Sequence, residues 1–478
     1  MGAFVIREFH RDSDWSSVHV TVAGIGIAGF AAADALAQLG ARVTVVDAGD
    51  GEKLREKAEI LDVIGVEVLL GHDGILPSTD LLVVSPGLRP TDPLIVQAQD
   101  RSIPVWGELE LAWRLRAATG AAPWLVVTGT NGKTTTTLML ESMLKAAGLR
   151  TVSAGNIGNS LISVVMHDEL DVIAVEVGAP QLPFVESMSP LASVCLNIAD
   201  DHIDHFGSFE AYVAAKAKIY ERTQIAAVFN VSDPETIRMV EEADVVERCR
   251  AIGFTLGVPD VSMLGIVEEF LVDRAFLDDR RNTAQELANV QDVHPLAPHN
   301  VANALAAAAL ARAFGVPALA IQEGLQRFEP AGHRIAHVAT INDVTFIDDS
   351  KATNTHAALT SLRAYQPVVW IAGGMAKGQE FDDLVKEARD HLRAVVLLGV
   401  DRDAIASALA QHAPQVPVTV IERSDTEAMV DVVNAAYAYA EPGDTVLLAP
   451  GCASWDMFRD YSQRGDLFAQ AARDLGQA

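Results

Sequence analysis

The chain has 478 residues, enough for about three domains, and its 64 acidic and 36 basic side chains give a formal net charge of −28. This acidic balance excludes nucleic-acid backbones and anionic membranes as expected partners, so an anionic substrate requires local basic residues. The three cysteines are scattered, which excludes a disulfide framework or a zinc-binding spacing. Without a secretory signal pattern or an apolar stretch of membrane-spanning length, the sequence predicts a cytoplasmic α/β protein with no membrane insertion.

A glycine-rich turn near the N-terminus predicts a nucleotide site. Val18–Val22 is a predicted strand, and Gly24–Gly29 matches the pattern G-x-G-x-x-G at the start of a predicted helix. Arg42–Val46 follows as a strand that ends at Asp47. An acidic residue about twenty positions after such glycines completes the dinucleotide fingerprint. The pattern places a diphosphate or ribose at a helix N-terminus and, taken alone, leaves NAD and other nucleotides open.

A second glycine turn predicts a phosphate cradle, which is the feature that organises the chain. Leu125–Val127 is a predicted buried strand, Gly129 and Gly132 interrupt it, and an amphipathic helix follows from Thr134. In this layout the helix N-terminus faces the anion, Lys133 reaches the β- and γ-phosphates, and the hydroxyl of Thr134 holds Mg²⁺. A generic P-loop has four residues between its first glycine and Gly-Lys, whereas this chain has two.

Alternating strand and helix signals predict three domains, which cover residues 1–117, 118–329 and 330–478. In the second domain, alternation through about residue 245 predicts a parallel sheet, and residues 255–298 are predicted to be a peripheral elaboration of short strands. The third domain is predicted to contain five strands separated by helices.

Several polar side chains near the cradle each have a functional and a structural interpretation. Glu176 ends a predicted strand. A carboxylate in this position is either a Mg²⁺ ligand or part of an ordinary turn. The acidic, His-containing segment Asn197–His205 fits a cation-binding loop or a solvated turn. Lys216 lies on a predicted helix, where a lysine is usually solvated. Asn156 either presents its amide to a ligand or shapes its turn.

Three loops of the third domain follow predicted strands: Asp348–Asn354, Gly373–Lys377 and Pro450–Trp455. Because parallel strands end at the same edge of a sheet, we expect these loops to converge on one rim and to share an anionic ligand. The side chains proposed to face that ligand are Lys351, Lys377 and Ser454.

Together these segments resemble the Mur ligases, and within them the branch that adds D-glutamate to UDP-N-acetylmuramoyl-L-alanine. The short cradle Gly-Thr-Asn-Gly-Lys-Thr is the form that this family uses, and the most specific match is Asp349-Ser-Lys-Ala-Thr-Asn354. Sibling ligases and folylpolyglutamate synthases carry an Asp-x-Ala-His-type motif there. The other matches, in family order, are Gly155–Gly158, Asp201-His202, Ala214–Lys216, His299-Asn300 with Asn303, and His333-Arg334.

The resemblance implies an α/β protein with a Rossmann-like UDP-binding domain, a central P-loop ATPase-like domain with a parallel sheet, and a C-terminal Rossmann-like domain that binds the incoming amino acid. It implies ATP-dependent amide formation through an acyl phosphate, in the cytoplasmic synthesis of peptidoglycan precursors for the cell wall, cell shape and cell division. It also implies ATP, Mg²⁺ at two sites, small-molecule partners and a monomer.

Carried over by position, the resemblance implies four groups of site residues. Its ATP group is Gly129, Thr130, Asn131, Gly132, Lys133, Thr134, Thr135, Asn300, Asn303, Arg334 and Asp349. Its UDP-N-acetylmuramoyl-L-alanine group is Ile27, Ala28, Asp47, Gly87, Asn156 and His202. Its D-glutamate group is Thr353, Lys377, Ser454 and Tyr461. Its metal group is Thr134, Glu176, His202 and a carbamylated Lys216, since an ammonium has no lone pair with which to bind a metal. The implied catalytic residues are Lys133, Glu176, His202, Lys216 and Lys351.

Two departures from the family pattern bear on activity. The family reads Ser-Ser-Phe-Gln after the strand-end glutamate, whereas this chain has Gly178-Ala179-Pro180 before Gln181. The loss of two hydroxyls and the stiffness of proline predict weaker catalysis or altered metal binding. The segment after Asp47 also lacks an arginine found in some relatives, which leaves the uracil contacts open.

Three alternative functions are compatible with parts of the sequence. A Rossmann-type oxidoreductase would explain Gly24–Gly29 but not Lys133. Another Mur-type or folylpolyglutamate-type ligase is disfavoured by Ser350-Lys351. A catalytically weakened homologue would explain Gly178–Pro180.

Overall fold

The computed structural model describes residues 6–167, 169–201, 203–330 and 332–476. The chain divides into two compact units, Met1–Phe328 and Glu329–Ala478. The first unit contains two sheets, and the second unit contains one. Across the described ranges, no helix is both long enough and apolar enough to cross a membrane.

The N-terminal sheet has five strands, all of which pair in parallel, in the order β3-β2-β1-β4-β5. Its elements are β1 (His19–Ala23), α1 (Ile27–Gln38), β2 (Arg42–Asp47), α2 (Glu52–Val63), β3 (Glu67–Leu70), β4 (Leu81–Val84), α3 (Pro93–Asp100), β5 (Val105–Gly107) and α4 (Glu108–Arg114). Strands β1 and β4 are buried throughout, as expected for a sheet covered on both faces. The strand order reverses between β1 and β4, which is the position where such sheets bind ligands.

The second sheet of the first unit has nine strands in the order β14-β13-β12-β11-β10-β9-β6-β8-β7. Its first elements are β6 (Trp124–Thr128), α5 (Lys133–Ala146), β7 (Thr151–Gly155), α6 (Leu161–His167), β8 (Val172–Glu176), β9 (Ala192–Cys195), α7 (Ile203–Phe206), α8 (Phe209–Ala217), β10 (Ala226–Asn230) and α9 (Pro234–Glu241). Its later elements are β11 (Arg250–Phe254), β12 (Met263–Val267), β13 (Phe270–Asp273), β14 (Gln285–Asn289), α10 (Pro298–Phe314) and α11 (Ala318–Arg327). Short 3-10 segments cover Ala179–Phe184, Lys218–Tyr220 and Val290–Asp292.

The parallel sheet predicted through about residue 245 is confirmed for β6 to β10. Parallel pairing continues to β12, beyond which β13 and β14 run antiparallel at one edge. The turn between β12 and β13 contains only Glu268 and Glu269, and a connection this short can join only antiparallel strands. Residues 255–298 therefore form short strands at the edge of the central sheet, which agrees with their prediction as a peripheral elaboration.

The helix that follows the cradle is fixed by a close contact with another helix. A Cβ atom at Gly324 on α11 would lie 2.4 Å from the Cα atom of Met143 on α5, so only glycine permits this approach. The hydroxyl of Ser142 donates a hydrogen bond to the Gly324 carbonyl at 2.7 Å. Tight packing of this kind holds α5, and with it the cradle at its N-terminus, in one position.

The second unit contains a six-stranded sheet in the order β15-β16-β20-β17-β18-β19. Its elements are β15 (Ala336–Ile341), β16 (Val344–Asp348), α12 (Thr355–Leu362), β17 (Val368–Gly373), α13 (Asp382–Ala388), the 3-10 segment Arg389–His391, β18 (Leu392–Leu398), α14 (Arg402–His412), β19 (Val418–Val420), α15 (Ala428–Tyr439), β20 (Thr445–Leu448) and α16 (Tyr461–Leu475). The five predicted strands are present. Strand β15 was not predicted. It pairs antiparallel with β16 through a turn at Asn342 and Asp343, both of which have positive φ.

Candidate active site

The cradle between β6 and α5 requires glycine at both of its predicted positions. Gly129 has φ +152°, and a Cβ atom there would lie 2.9 Å from the Cβ of Leu196. Gly132 has φ +85°, and a Cβ atom there would lie 2.4 Å from Oδ1 of Asn303. The loop therefore passes close to its neighbours, and Asn303, predicted to contact ATP, lies against it.

The N-terminus of α5 is suited to bind an anion. Gly132 occupies the N-cap position without a side-chain hydrogen bond, and the first turn contains no acidic residue. Thr134 and Thr135 lie in this first turn, where backbone N–H groups carry partial positive charge. The Nζ atom of Lys133 donates to the carbonyl groups of Gly129 at 2.9 Å and Thr130 at 2.8 Å, which places its ammonium over the loop.

Two residues that the sequence pattern did not single out hold the cradle in shape. The backbone N–H of Asn131 donates to Oδ1 of Asn197 at 2.9 Å, and Nδ2 of Asn197 donates back to the Asn131 carbonyl at 3.1 Å. The hydroxyl groups of Thr130 and Tyr212 are 2.8 Å apart. Asn197 begins the segment predicted to be a cation-binding loop or a solvated turn, but nothing local predicts its contact with the cradle except its position after β9, which pairs with β6.

Lys216 on α8 is buried beside the cradle, with 1% of its surface exposed. Its Nζ atom donates to the Gly129 carbonyl at 2.8 Å and contacts Oγ1 of Thr128 at 3.3 Å. Burial, together with the positive charge of Lys133, lowers the pKa of Lys216 to about 7. The alternative interpretation of Lys216 as a solvated surface lysine is therefore wrong.

Glu176 at the end of β8 has one carboxylate oxygen that is suited to a metal ion. The residue is 2% exposed, and its Oε1 accepts a hydrogen bond from Nδ2 of Asn156 at 2.8 Å. Its Oε2 is buried and has no hydrogen-bond partner among the described residues. A buried carboxylate oxygen without a partner costs free energy, and carboxylate oxygens are the ligands that Mg²⁺ prefers. Strand β8 pairs with β6 at Val127, which places Glu176 next to the cradle.

The remaining metal ligands implied by the resemblance are only partly covered by the structure. His202 lies outside the described residues. Within the described ranges, no group of three or more His, Cys, Asp or Glu side chains is arranged to hold a metal. The fit of a metal to this site therefore depends on the Glu176 oxygen and on Thr134 in the first turn of α5.

The altered loop after Glu176 is a well-formed 3-10 turn. The backbone N–H of Gly178 donates to Oε1 of Gln181 at 2.8 Å, and Pro180 lies near the N-terminus of the turn, where its missing N–H has no cost. Nε2 of Gln181 contacts Oε2 of Glu108 at 3.4 Å. The other oxygen of Glu108 accepts from the hydroxyl of Ser160 at 2.7 Å, so this buried carboxylate links the loop to the start of α6.

The glycine turn of the N-terminal sheet is held by Asp47. Its two carboxylate oxygens accept from the backbone N–H groups of Ile25 at 2.9 Å and of Gly49 at 2.8 Å. Ile27 is 73% exposed at the start of α1, and the Nζ atom of Lys57 donates to the Ile25 carbonyl at 3.2 Å. A cavity of about 630 Å³ lies at this position, and its lining includes Ile27, Phe30, Lys57, Ile60, Asn159 and Ser160. Ala28 also lies in the first turn of α1, and Gly87 lies in the exposed loop after β4.

Asn300 and Asn303 lie in the first turns of α10, within the first unit. The Nδ2 atom of Asn300 donates to the Pro295 carbonyl at 2.9 Å. The side-chain amide of Asn303 is near Oδ1 of Asn300 at 3.4 Å and, as noted above, contacts the cradle. The first unit thus brings these two amides, the cradle, Glu176 and Lys216 into one region.

In the second unit, Asp349 is buried at the end of β16. Burial raises the pKa of its carboxyl group to about 6, although the Ser361 hydroxyl donates a hydrogen bond to it and Arg334 is a nearby cation. The ammonium of Lys351 lies 3.9 Å from the centre of the Tyr461 ring. Thr353 lies in the same loop, which ends where Asn354 caps α12.

The loops after β17 and β20 are joined to each other, as their positions on neighbouring parallel strands predict. Met375 and Ala453 exchange two backbone hydrogen bonds, each of 2.9 Å. Ser454 is buried, and the ammonium of Lys377 lies 4.2 Å from the centre of the Trp455 ring.

Arg464 on α16 is a further residue that the sequence pattern did not reveal. It is completely buried, and its guanidinium donates to the Ser350 carbonyl at 2.7 Å, to the Ser350 hydroxyl at 2.9 Å and to the Cys452 carbonyl at 3.1 Å. It therefore ties the loop after β16 to the loop after β20. Burial lowers its pKa to about 10. An arginine in a polar helix is usually solvated, so the sequence alone does not predict that Arg464 links these two loops.

Three known domain families match most of the chain. The Mur ligase middle domain matches residues 127–311, and the glutamate ligase domain of Mur ligases matches residues 333–452. The N-terminal domain of MurD-like Mur ligases matches residues 18–107.

Proteins of known name are similar over nearly the whole chain. A protein of Streptomyces coelicolor named UDP-N-acetylmuramoylalanine–D-glutamate ligase is 57% identical over 97% of this chain and 99% of its own length. A protein of Thermobifida fusca with the same name is 50% identical over 95% of this chain and 98% of its own length.

Solved structures show the same fold at low identity. UDP-N-acetylmuramate-alanine ligase of Thermotoga maritima aligns with a TM-score of 0.57 at 18% identity and covers 96% of this chain and 99% of its own. A pseudomurein peptide ligase of Methanothermus fervidus aligns with a TM-score of 0.58 at 19% identity, over 96% of this chain and 100% of its own. The predicted fold class is therefore confirmed. With three matching domains and relatives at 57% identity, this chain belongs to the Mur ligase family.

Proposed function

We propose that the protein is an ATP-dependent ligase that joins D-glutamate to UDP-N-acetylmuramoyl-L-alanine during the synthesis of peptidoglycan precursors. The main structural support for this function is the phosphate cradle. It lies beside the buried Lys216 and beside Oε2 of Glu176, which has no hydrogen-bond partner among the described residues. Such a site binds phosphates and a metal. The relatives at 57% and 50% identity bear the name of this ligase over nearly the full chain.

An amine does not displace oxide from a carboxylate, because oxide is a poor leaving group. Phosphorylation of the carboxylate makes phosphate the leaving group. A carboxylate oxygen of the alanyl group attacks the γ-phosphorus of ATP, and the bond from that phosphorus to the β,γ-bridging oxygen breaks to release ADP. The amine of D-glutamate then attacks the carbonyl carbon of the acyl phosphate, loses a proton, and inorganic phosphate leaves. The main tasks of the protein are therefore to neutralise charge and to align the reactants.

The cradle performs the first of these tasks. The N–H groups at the start of α5 and the ammonium of Lys133 are placed to hold the phosphates, and the Lys133 hydrogen bonds to the loop carbonyls would be exchanged for phosphate oxygens. Asn197 and Tyr212 act through the loop, because their hydrogen bonds fix the backbone that presents those donors.

Mg²⁺ would be held by Thr134 and Glu176, and when bound it neutralises phosphate charge. A second Mg²⁺ site is proposed at His202 and Lys216. For Lys216 to bind a metal, its neutral amine nitrogen must add to the carbon of CO₂ and lose a proton, which gives a carbamate. The buried position and the pKa of about 7 support this modification, because they make the neutral amine available near neutral pH.

The other ligands are assigned by domain. UDP-N-acetylmuramoyl-L-alanine is proposed to bind the glycine turn of the N-terminal sheet near Ile27, Ala28 and Gly87, with Asn156 toward the sugar. Asp47 supports this turn through two backbone hydrogen bonds. The second unit is proposed to bind D-glutamate through Thr353, Lys377, Ser454 and Tyr461. We also propose that the protein is a monomer that acts in the cytoplasm, where ATP and the nucleotide substrate are made.

The test is release of inorganic phosphate from ATP in the presence of UDP-N-acetylmuramoyl-L-alanine, with and without D-glutamate. Release that requires D-glutamate, and that L-glutamate does not support, is the expected result. Lys133→Ala provides a control for contaminating ATPase activity. Turnover of NADH, or ATP binding with no D-glutamate-dependent release, would contradict the proposal. The oxidoreductase, the sibling ligase and the weakened homologue are not favoured by the names of the relatives.

A further inference from the structure

Trp455 is a large aromatic residue whose exposure is unusual for this protein. It is 63% exposed in the loop after β20, whereas Trp15, Trp106, Trp124 and Trp370 are completely buried. An exposed tryptophan contributes little to the core, so any role of Trp455 depends on the groups that it contacts. The family resemblance assigns a role to its neighbour Ser454 but none to Trp455.

The backbone brings Trp455 and Lys377 together. The two hydrogen bonds between Met375 and Ala453 join the loop after β17 to the loop after β20, two residues before each of these side chains. A Cβ atom at Gly374 would lie 2.2 Å from the Ala453 carbonyl oxygen, so only glycine permits the two loops to approach each other at this point. The ammonium of Lys377 consequently lies 4.2 Å from the centre of the Trp455 ring, within the range of a cation–π interaction.

The ammonium of Lys377 is fixed in position and available to bind an anion. Its backbone has φ +53°, which is unusual for a residue other than glycine and persists where the surrounding structure fixes it. Among the described residues, no carboxylate lies within ion-pairing distance of its ammonium. A lysine side chain normally loses considerable rotamer freedom when it binds a ligand, and stacking on a ring removes part of that freedom beforehand.

We propose that Trp455 is a positioning residue for D-glutamate: its ring holds the Lys377 ammonium in the direction from which it pairs with a carboxylate of that amino acid. This inference rests on the proposed function and adds to it a residue that sets the affinity for the incoming amino acid. A ring that holds the cation from one face leaves the opposite side of the ammonium open to an anion.

The test compares Trp455→Leu with Trp455→Phe in the steady-state assay. Leucine removes the aromatic face, so the KM for D-glutamate is expected to rise about two- to fivefold, the range typical of an exposed cation–π interaction, with kcat little changed. Phenylalanine keeps an aromatic face and is expected to restore most of the affinity. The KM values for ATP and for the nucleotide substrate should stay unchanged. Val430→Ala, at an exposed apolar position on α15, is the matched control and should leave all three KM values unchanged.

A second measurement detects Trp455 directly. Because Trp455 is the exposed tryptophan of the loop, D-glutamate added to the protein with the nucleotide substrate and a non-hydrolysable ATP analogue should change the tryptophan fluorescence. Trp455→Phe should lose this change while it keeps its activity.

The outcomes separate this inference from the proposed function. An active wild-type protein together with an unchanged KM for D-glutamate in Trp455→Leu would overturn the role of Trp455 alone. A fall in kcat with no change in KM would also overturn it. A wild-type protein that releases no phosphate in response to D-glutamate would overturn both.

Discussion

At the scale of single residues, Lys216 shows how burial changes the chemistry of a side chain. Fully exposed, it would be a positive charge of no special interest. Buried against the Gly129 carbonyl and close to the positive charge of Lys133, it has a pKa of about 7. At neutral pH the folded protein must give up the proton that an exposed lysine would keep, which lowers its stability. The neutral amine is also the form that reacts with CO₂.

Replacing Lys216 by methionine is expected to abolish ligation and to stabilise the protein. In the unfolded chain a lysine has a pKa near 10.4, so between pH 7 and pH 10 the unfolded state binds the additional proton. The contribution of Lys216 to the free energy of unfolding therefore rises between pH 7 and pH 10, and it is lowest near and below pH 7. Methionine has a similar shape without this cost, and the Gly129 carbonyl keeps its hydrogen bond from Lys133.

The measurement for Lys216→Met is thermal unfolding at pH 7 in buffer free of metal and bicarbonate, where we expect Tm to rise by about 2 °C or more. Added bicarbonate should not restore ligation in this variant. A lower Tm than that of the wild type would show that the lysine contributes net stability. Full activity in the variant would remove the carbamate assignment.

The pH dependence of activity gives a second prediction for Lys216. Only the neutral amine adds to CO₂, and its fraction falls about tenfold for each unit below the pKa of about 7. We therefore expect kcat to fall as the pH drops below about 7, and this acid limb should move to lower pH when bicarbonate is raised. Intact-protein mass spectrometry at neutral pH should show the added CO₂. An acid limb that does not respond to bicarbonate would contradict the prediction.

Among the helices and strands, several of the residues proposed to bind ligands lie at strand ends, where the chain turns into a helix or loop. The cradle follows β6, Glu176 ends β8 and the Lys377 loop follows β17. The network through the buried carboxylate of Glu108 connects α4, the start of α6 and the loop after Glu176. Because Asn156 binds Glu176 and lies just before α6, this network positions a proposed metal ligand and a proposed sugar contact together.

The loop after Glu176 is expected to limit kcat, because it lacks two hydroxyl groups that the family pattern contains. Gly178→Ser, Ala179→Ser and Pro180→Phe, made together, restore the family pattern and are expected to raise kcat about two- to tenfold, the value of one to two hydrogen bonds made in the transition state. A Cβ atom at Gly178 would lie 3.2 Å from Oδ1 of Asn156, so a serine there is close but requires only a small shift.

Pro180→Ala alone is the matched control, because it relaxes the turn without adding a hydroxyl and should leave kcat near that of the wild type. If the triple variant shows no gain in kcat, the missing hydroxyl groups do not limit this protein, and the Gly178–Pro180 sequence is simply another way to build the same turn.

At the scale of the whole molecule, the sequence predicted what depends on local pattern. The glycine turns, the buried strands and the helices that follow them were found, because each is encoded in a short segment. The half-exposed edge strand β15 was not found. Short strands were predicted for residues 255–298, but the antiparallel pairing of β13 and β14 was not, since pairing is not encoded in a short segment. Asn197 and Arg464 were missed for the same reason: their partners lie 66 and 114 residues away in sequence.

The net charge of −28 affects the stability of the folded molecule as a whole. So large an excess of one sign makes the compact state repel itself, and salt screens this repulsion over a Debye length of about 10 Å at 0.1 M. We expect Tm to rise by a few degrees, roughly 2–4 °C, when NaCl is raised from about 0.02 M to about 0.5 M. KCl at the same concentrations should give a similar rise, because screening depends on ionic strength. If instead Tm falls, the exposed ion pairs, such as that of Arg150 with Asp171, outweigh the general repulsion, because salt weakens attraction and repulsion alike.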